Sequence, residues 1–201
     1  NLLSWLTENV LEQIEQGGRY SADANLLEMA KRLKSVQRQD VLEQHGICED
    51  EDYSKEKLLQ IRKECRKIIS TFREKVVSSS QTIIQLTTQQ GVSLKDTNRG
   101  FLNILAVYAG LQDNDKVEPL KATFVSKALD PEQWFAKSKA AKFLPLVQPF
   151  IQTPLEDFCA LFDKEFKVYN TALILDEQLY GLGVAGELNR AFKGLMKEKN
   201  V

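Results

Sequence analysis

The chain has one histidine, three cysteines, five prolines and ten glycines in 201 residues, and almost no net charge, −1 at pH 7. Each shortage excludes something. With His45 as the only imidazole, any Ser/His or Cys/His nucleophilic pair has to be built on it. Nothing in the sequence brings a nucleophile there, and the nearby Cys48 sits in an acidic stretch that disfavours its thiolate. Cys48, Cys65 and Cys159 are odd in number and widely spaced, unlike a secreted disulfide framework, so a reducing interior is expected: cytoplasmic, with nuclear as the alternative. The near-neutral charge removes any global attraction to nucleic acid or to an anionic membrane. The longest apolar runs, such as 101–109 interrupted by Asn103, are far below the roughly 18 to 20 residues of a membrane span. The chain therefore does not read as an integral membrane protein. The opening Asn-Leu-Leu-Ser-Trp-Leu has no basic leader and is followed by Glu8, which does not fit a signal peptide. Beginning on Asn1, the chain reads as a piece of a longer protein.

What is present is apolar periodicity. Hydrophobic residues make up 43% of the chain, enough for a core without metal or disulfide support. Proline and glycine fall mostly between periodic segments, which favours helices over short strands joined by turns. A first helix is expected from Ser4 to Gly17-Gly18 on Leu3, Leu6, Val10, Leu11 and Ile14. A second, capped by Ser21, carries Leu26, Leu27, Ala30, Leu33 and Val36 and continues to Gly46.

After the acidic stretch 48–52 a long amphipathic helix is expected over 54–88, about 50 Å at 1.5 Å per residue. Its apolar positions Leu58, Ile61, Cys65, Ile68, Phe72, Val76 and Ile83 start as a coiled-coil seam and then shift phase, as a stutter does. Ser78-Ser79-Ser80 is a place where it could break. A single helical domain over 1–201 is expected; residues 91–97 are the candidate boundary of the alternative, a subdivision into 1–91 and 98–201. Beyond it, 101–111 reads as a helix apolar nearly all round, hence wholly buried. Helices are further expected over 119–129, from the capped start Asp130-Pro131-Glu132-Gln133, and from Thr153-Pro154-Leu155-Glu156, a capping box with proline at the first helical position. Pro145 and Pro149 predict short or kinked pieces over 143–150. A last helix is expected to begin at 183–186 and end near Lys197.

Two short motifs resemble known sites. Gly181-Leu182-Gly183-Val184-Ala185-Gly186 spells G-x-G-x-x-G, but no strand precedes it and only fifteen residues follow, too few for a returning strand and a ribose-binding acid. A flexible connection with close helix packing is the better account, and no cofactor is expected. His45-Gly46-Ile47-Cys48 resembles half a zinc site, yet structural zinc takes four ligands and no second pair exists. No Walker-type Gly-Lys-Ser/Thr and no Glu-x-x-His occurs, so neither nucleotide hydrolysis nor a di-iron bundle is supported.

Charge on the long helix stands out more. Between Lys55 and Lys75 eight basic residues face Glu56, Glu64 and Glu74. At 100° per residue Lys55, Arg62, Arg66 and Arg73 fall within about 40° of one another, a row roughly 27 Å long beside the apolar seam. Such a row suits phosphate or carboxylate, and these four residues are the candidate anion- or partner-binding set. The competing account pairs them with acidic residues of the same protein. The second half is rich in phenylalanine: Phe101, Phe124, Phe135, Phe143, Phe150, Phe158, Phe162, Phe166 and Phe192. These could line an apolar cavity, although i, i+4 spacing along Phe158, Phe162 and Phe166 usually marks core. Trp134-Phe135 is a further candidate, as an exposed anchor.

The expectation is an all-α, multi-helix bundle of about seven to nine helices around one long central helix, with two packed subdomains as a variant. It is expected to be a non-enzymatic protein–protein interaction domain, an adaptor, tether or regulatory module, with another protein as partner. Binding of phosphoinositide or nucleic acid through the basic helix, and carriage of an apolar ligand or lipid, are the alternatives.

Overall fold

The structure, a computed structural model, describes residues 54–198; the two helices expected before Gly46, the His45–Cys48 pair and the acidic stretch 48–52 lie outside the described residues. The described part is all-α, without strands. It contains four helices, α1 (Lys55–Gln89), α2 (Asn103–Ala109), α3 (Ala122–Ala128) and α4 (Lys137–Glu198), with 3-10 turns at Leu94–Asp96, Asn98–Gly100 and Pro131–Gln133. The expected count of seven to nine is not supported, because α4 runs as one helix through the stretches read as several.

α1 matches the expected long helix almost residue for residue. The Leu58 N–H donates to the Ser54 carbonyl at 3.0 Å, closing the first turn. At the other end Gly91 (φ +71°) adopts the left-handed conformation that lets the Gly91 N–H reach the Thr88 carbonyl (2.9 Å) and the Val92 N–H reach the Thr87 carbonyl (3.4 Å). Buried Val92 seals that end. Ser78–Ser80 does not break the helix: the Ser78 hydroxyl donates to the Lys75 carbonyl and Thr82 donates to Ser78, so the side chains return to the helix's own backbone.

The buried line of α1 differs from the expected seam: Ile69 is buried where Ile68 was expected, Ile61 is only half-buried, and Ser80 and Thr87 join the line. From Cys65 the buried positions run Ile69, Phe72, Val76, Ser80, Ile83 and Thr87. Their steps of four, three, four, four, three and four average about 3.67 residues, close to the pitch of a straight helix and away from the 3.5 of a left-handed coiled coil.

α4 departs furthest from expectation. Pro145, Pro149 and Pro154 lie inside it, the Thr153-Pro154 start is not used, and 181–198 continues the same helix, so the G-x-G-x-x-G segment forms no loop. Proline removes one i→i−4 hydrogen bond and crowds the preceding turn. Here Pro145 and Pro149 are exposed, where the carbonyls they leave bare face water. The opposite side buries Val147, Ile151, Leu155 and Phe158. That packing holds the helix together across the lost bonds.

By internal contacts the chain divides into two compact units, one of Asn1–Arg66 with Leu173–Val201 and one of Lys67–Ala172. In the second unit α1 and α4 pack together antiparallel. Phe72 meets Phe162 edge-on at 5.4 Å and Tyr169 at 4.7 Å, and Lys75 bonds Glu165 at 2.8 Å. The phenylalanine-rich half is mainly this core. Ring contacts run from Phe101 to Phe124, Phe158, Phe162 and Phe72, with Tyr108 against both Phe158 and Phe162. The hydroxyl of Tyr169 accepts from the Val117 N–H (2.8 Å) and that of Tyr108 donates to the Glu118 carbonyl (2.9 Å), so two core tyrosines fix the α2–α3 connection.

Candidate functional site

The basic row is engaged with the protein itself. In the first unit Arg62 and Arg66 converge on one carboxylate: their Nε atoms lie 3.4 and 3.5 Å from Asp176 Oδ1. In the second, Arg73 Nε donates to the Asp115 carbonyl at 3.1 Å. The side chain of Lys55 is not among those described. Cys65, between the two arginines in sequence, is buried, and burial followed by the charge of Asp176 pushes its thiol up. Burial likewise raises Cys159 to about 11. Both thiols stay protonated at neutral pH, the opposite of a reactive cysteine.

Trp134 and Phe135 are buried, at 1% and 3% exposure, and do not form an exposed anchor. The 3-10 turn before them is capped by Asp130, which accepts from the Glu132 N–H, and it closes with the Trp134 N–H donating to the Pro131 carbonyl. The Trp134 indole N–H donates to the Lys127 carbonyl at 2.9 Å, and the Trp134 carbonyl accepts from the Asn98 N–H at 2.7 Å.

That last bond braces an unusual turn. Arg99 has φ 55° and Gly100 has φ 59°, two left-handed residues in succession. Glycine tolerates this; for arginine it costs roughly 1–2 kcal/mol. A Cβ on Gly100 would also stand 2.4 Å from Asn103 Nδ2. The turn carries Arg99 to the lip of a groove between α2 and α3.

The groove has a volume of about 890 Å3. Its lining includes the core-buried rings Phe101, Tyr108 and Phe124 and the half-buried Ile104, all apolar at their faces. Val107 stands at its edge, 61% exposed. α2 is therefore not wholly buried as expected: Leu105 and Tyr108 turn inward, whereas Ala106 and Val107 face outward. Arg99, Lys121 and Lys127 line the groove against one lining carboxylate, Glu118. Lys127 Nζ reaches the Asn98 carbonyl (3.4 Å) and lies 6.0 Å from the centre of the Phe101 ring, a cation held over an apolar floor. Among the described residues no carboxylate pairs with Arg99 or Lys121.

Sequence reasoning passed over this groove. Arg99-Gly100 ahead of an apolar stretch was its one local signal, and it does not announce which face of α2 lacks a neighbour.

Among the described residues no cluster of His, Cys, Asp and Glu is arranged to hold a metal, and no helix is long and apolar enough to cross a membrane. No family model matches the chain, and no curated protein or solved structure is significantly similar to it.

Proposed function

We propose that this chain is a non-enzymatic helical interaction domain that receives a protein partner in the groove between α2 and α3. The groove itself is the observation that carries the reading: aromatic side chains that belong to the core also line an open trough, with Val107 bare at its edge. An open trough with an apolar floor and a polar rim suits the anchoring side chain of a docked segment.

The two other readings have less support. For anion binding through Lys55, Arg62, Arg66 and Arg73, three of the four guanidinium or ammonium groups would have to leave or share Asp176 and the Asp115 carbonyl. An apolar-ligand carrier encloses most of its cargo's surface, and a trough with an edge residue 61% exposed does not.

Site-specific photocrosslinking in the cell of origin tests the reading. A benzophenone amino acid in place of Val107 is expected to yield a discrete protein adduct, while the same probe at the exposed Lys164 yields none. If Val107 and Lys164 give the same adducts, or neither gives any, the groove is not where this protein meets a partner.

A further inference from the structure

We infer that the groove between α2 and α3 selects a short acidic amphipathic segment of a partner protein, an aromatic or aliphatic anchor flanked within one turn by Asp or Glu. The inference rests on the interaction reading above and adds the chemistry of the partner.

Charge and shape both point that way. Three cations line the groove against Glu118 alone. They sit on a chain whose net charge is −1, so this excess of cations does not follow from the charge of the chain as a whole. Lys127 is half-buried with its ammonium over Phe101, where a carboxylate would meet it at lower dielectric than in open water. Arg99 is held outward by a left-handed backbone that the Trp134 carbonyl braces. Its backbone is fixed before any partner arrives, so the ordering cost of binding falls on the side chain alone. The floor of Phe101, Ile104 and Phe124 offers apolar area for one or two side chains. A polyphosphate gains nothing from that floor. A fatty acid would leave much of its chain in water beside Val107. A peptide with an apolar anchor and acidic flanks uses floor and rim together.

The test begins with a phage-displayed library of random 16-residue peptides selected on the immobilised chain. The most enriched peptide, labelled with fluorescein, is then titrated by anisotropy against four proteins: the unaltered chain, Val107→Ser, Arg99→Glu with Lys121→Glu, and the control pair Lys164→Glu with Lys167→Glu. All altered side chains are exposed, and circular dichroism checks that each variant folds. We expect peptides with an apolar anchor and neighbouring Asp or Glu. Kd should rise at least tenfold for Val107→Ser and about tenfold for the Arg99/Lys121 reversal, against less than twofold for the control pair. Affinity should also fall as salt rises. If binding depends on Val107 but ignores the Arg99/Lys121 reversal, or the selected peptides lack acidic residues, the acidic partner is wrong and the interaction reading stands. Peptides indifferent to Val107, or no enrichment at all, would overturn both. Binding of 11-dansyl-undecanoic acid that Val107→Ser abolishes, with no peptide enriched, would give the groove to a lipid and reject both readings.

Discussion

Tyr108 shows how one side chain ties the core to the groove. Its ring packs on Phe158 and Phe162, its hydroxyl donates to the Glu118 carbonyl, and part of it lines the trough. Burial, followed by the negative charge of Glu118, raises its pKa from 10.0 to about 12. In the unfolded chain the phenol ionises near 10. Between these two values the unfolded state has lost a proton that the folded state keeps, so stability falls as pH climbs through that window. Tyr108→Phe should cost about 1 kcal/mol at pH 7, where one hydrogen bond is lost. It should also lose less stability than the unaltered protein between pH 10 and 11.5. Urea midpoints measured at pH 7, 10 and 11.5 check this; parallel alkaline slopes for the two proteins would show that Tyr108 does not titrate as described.

At the scale of the element, α1 follows its sequence closely and α4 does not. The bounds of α1 were legible because a helical apolar period, shifted in phase but carried past Ser78–Ser80, gives way at Gly91, whose left-handed turn closes the helix. The shift from Ile68 to Ile69 was not, since both are isoleucines on adjoining faces and only the packing of α4 decides between them. The resulting seam passes through Ser80, fully buried, with a hydroxyl that has no hydrogen-bond partner. Ser80→Ala removes that unsatisfied group and adds helix propensity, so it should stabilise the protein by about 1 kcal/mol. A lower urea midpoint for Ser80→Ala would mean that the hydroxyl is satisfied after all. In α4 the misreading has a plain cause. Proline and capping rules are local, and they marked Pro145, Pro149 and Pro154 as ends or starts. Whether a helix tolerates a missing hydrogen bond depends on what the other face buries, and here that is Val147, Ile151 and Leu155. The arginine row was legible as a shared face, yet Asp176, which meets Arg62 and Arg66, lies far along the chain and carries no mark of it. The groove was the least legible feature. Periodicity says that α2 is apolar, but only the arrangement of its neighbours leaves Val107 bare.

Across the whole molecule, apolar side chains divide into those that hold the fold and those that remain available, and the two sets should separate in experiment. Phe72 belongs to the first. It is 2% exposed and touches Phe162, Phe166 and Tyr169 where α1 and α4 pack together. Phe72→Ala opens a cavity among rings that cannot all collapse into it, a loss of about 3–5 kcal/mol. That is a large share of the roughly 5–15 kcal/mol that holds a domain folded. Val107 belongs to the second set. At 61% exposure its replacement by serine removes little buried area, so stability should change by no more than about 0.5 kcal/mol. The same change strips the edge of the groove and should weaken any occupant. Measured side by side, Phe72→Ala should lower the urea midpoint sharply yet bind a groove peptide with nearly unchanged affinity under conditions where it is folded. Val107→Ser should do the reverse. Should both variants lose stability and affinity in proportion, the groove would be only a dent in the core's outer face, and its apolar lining would owe its presence to folding alone.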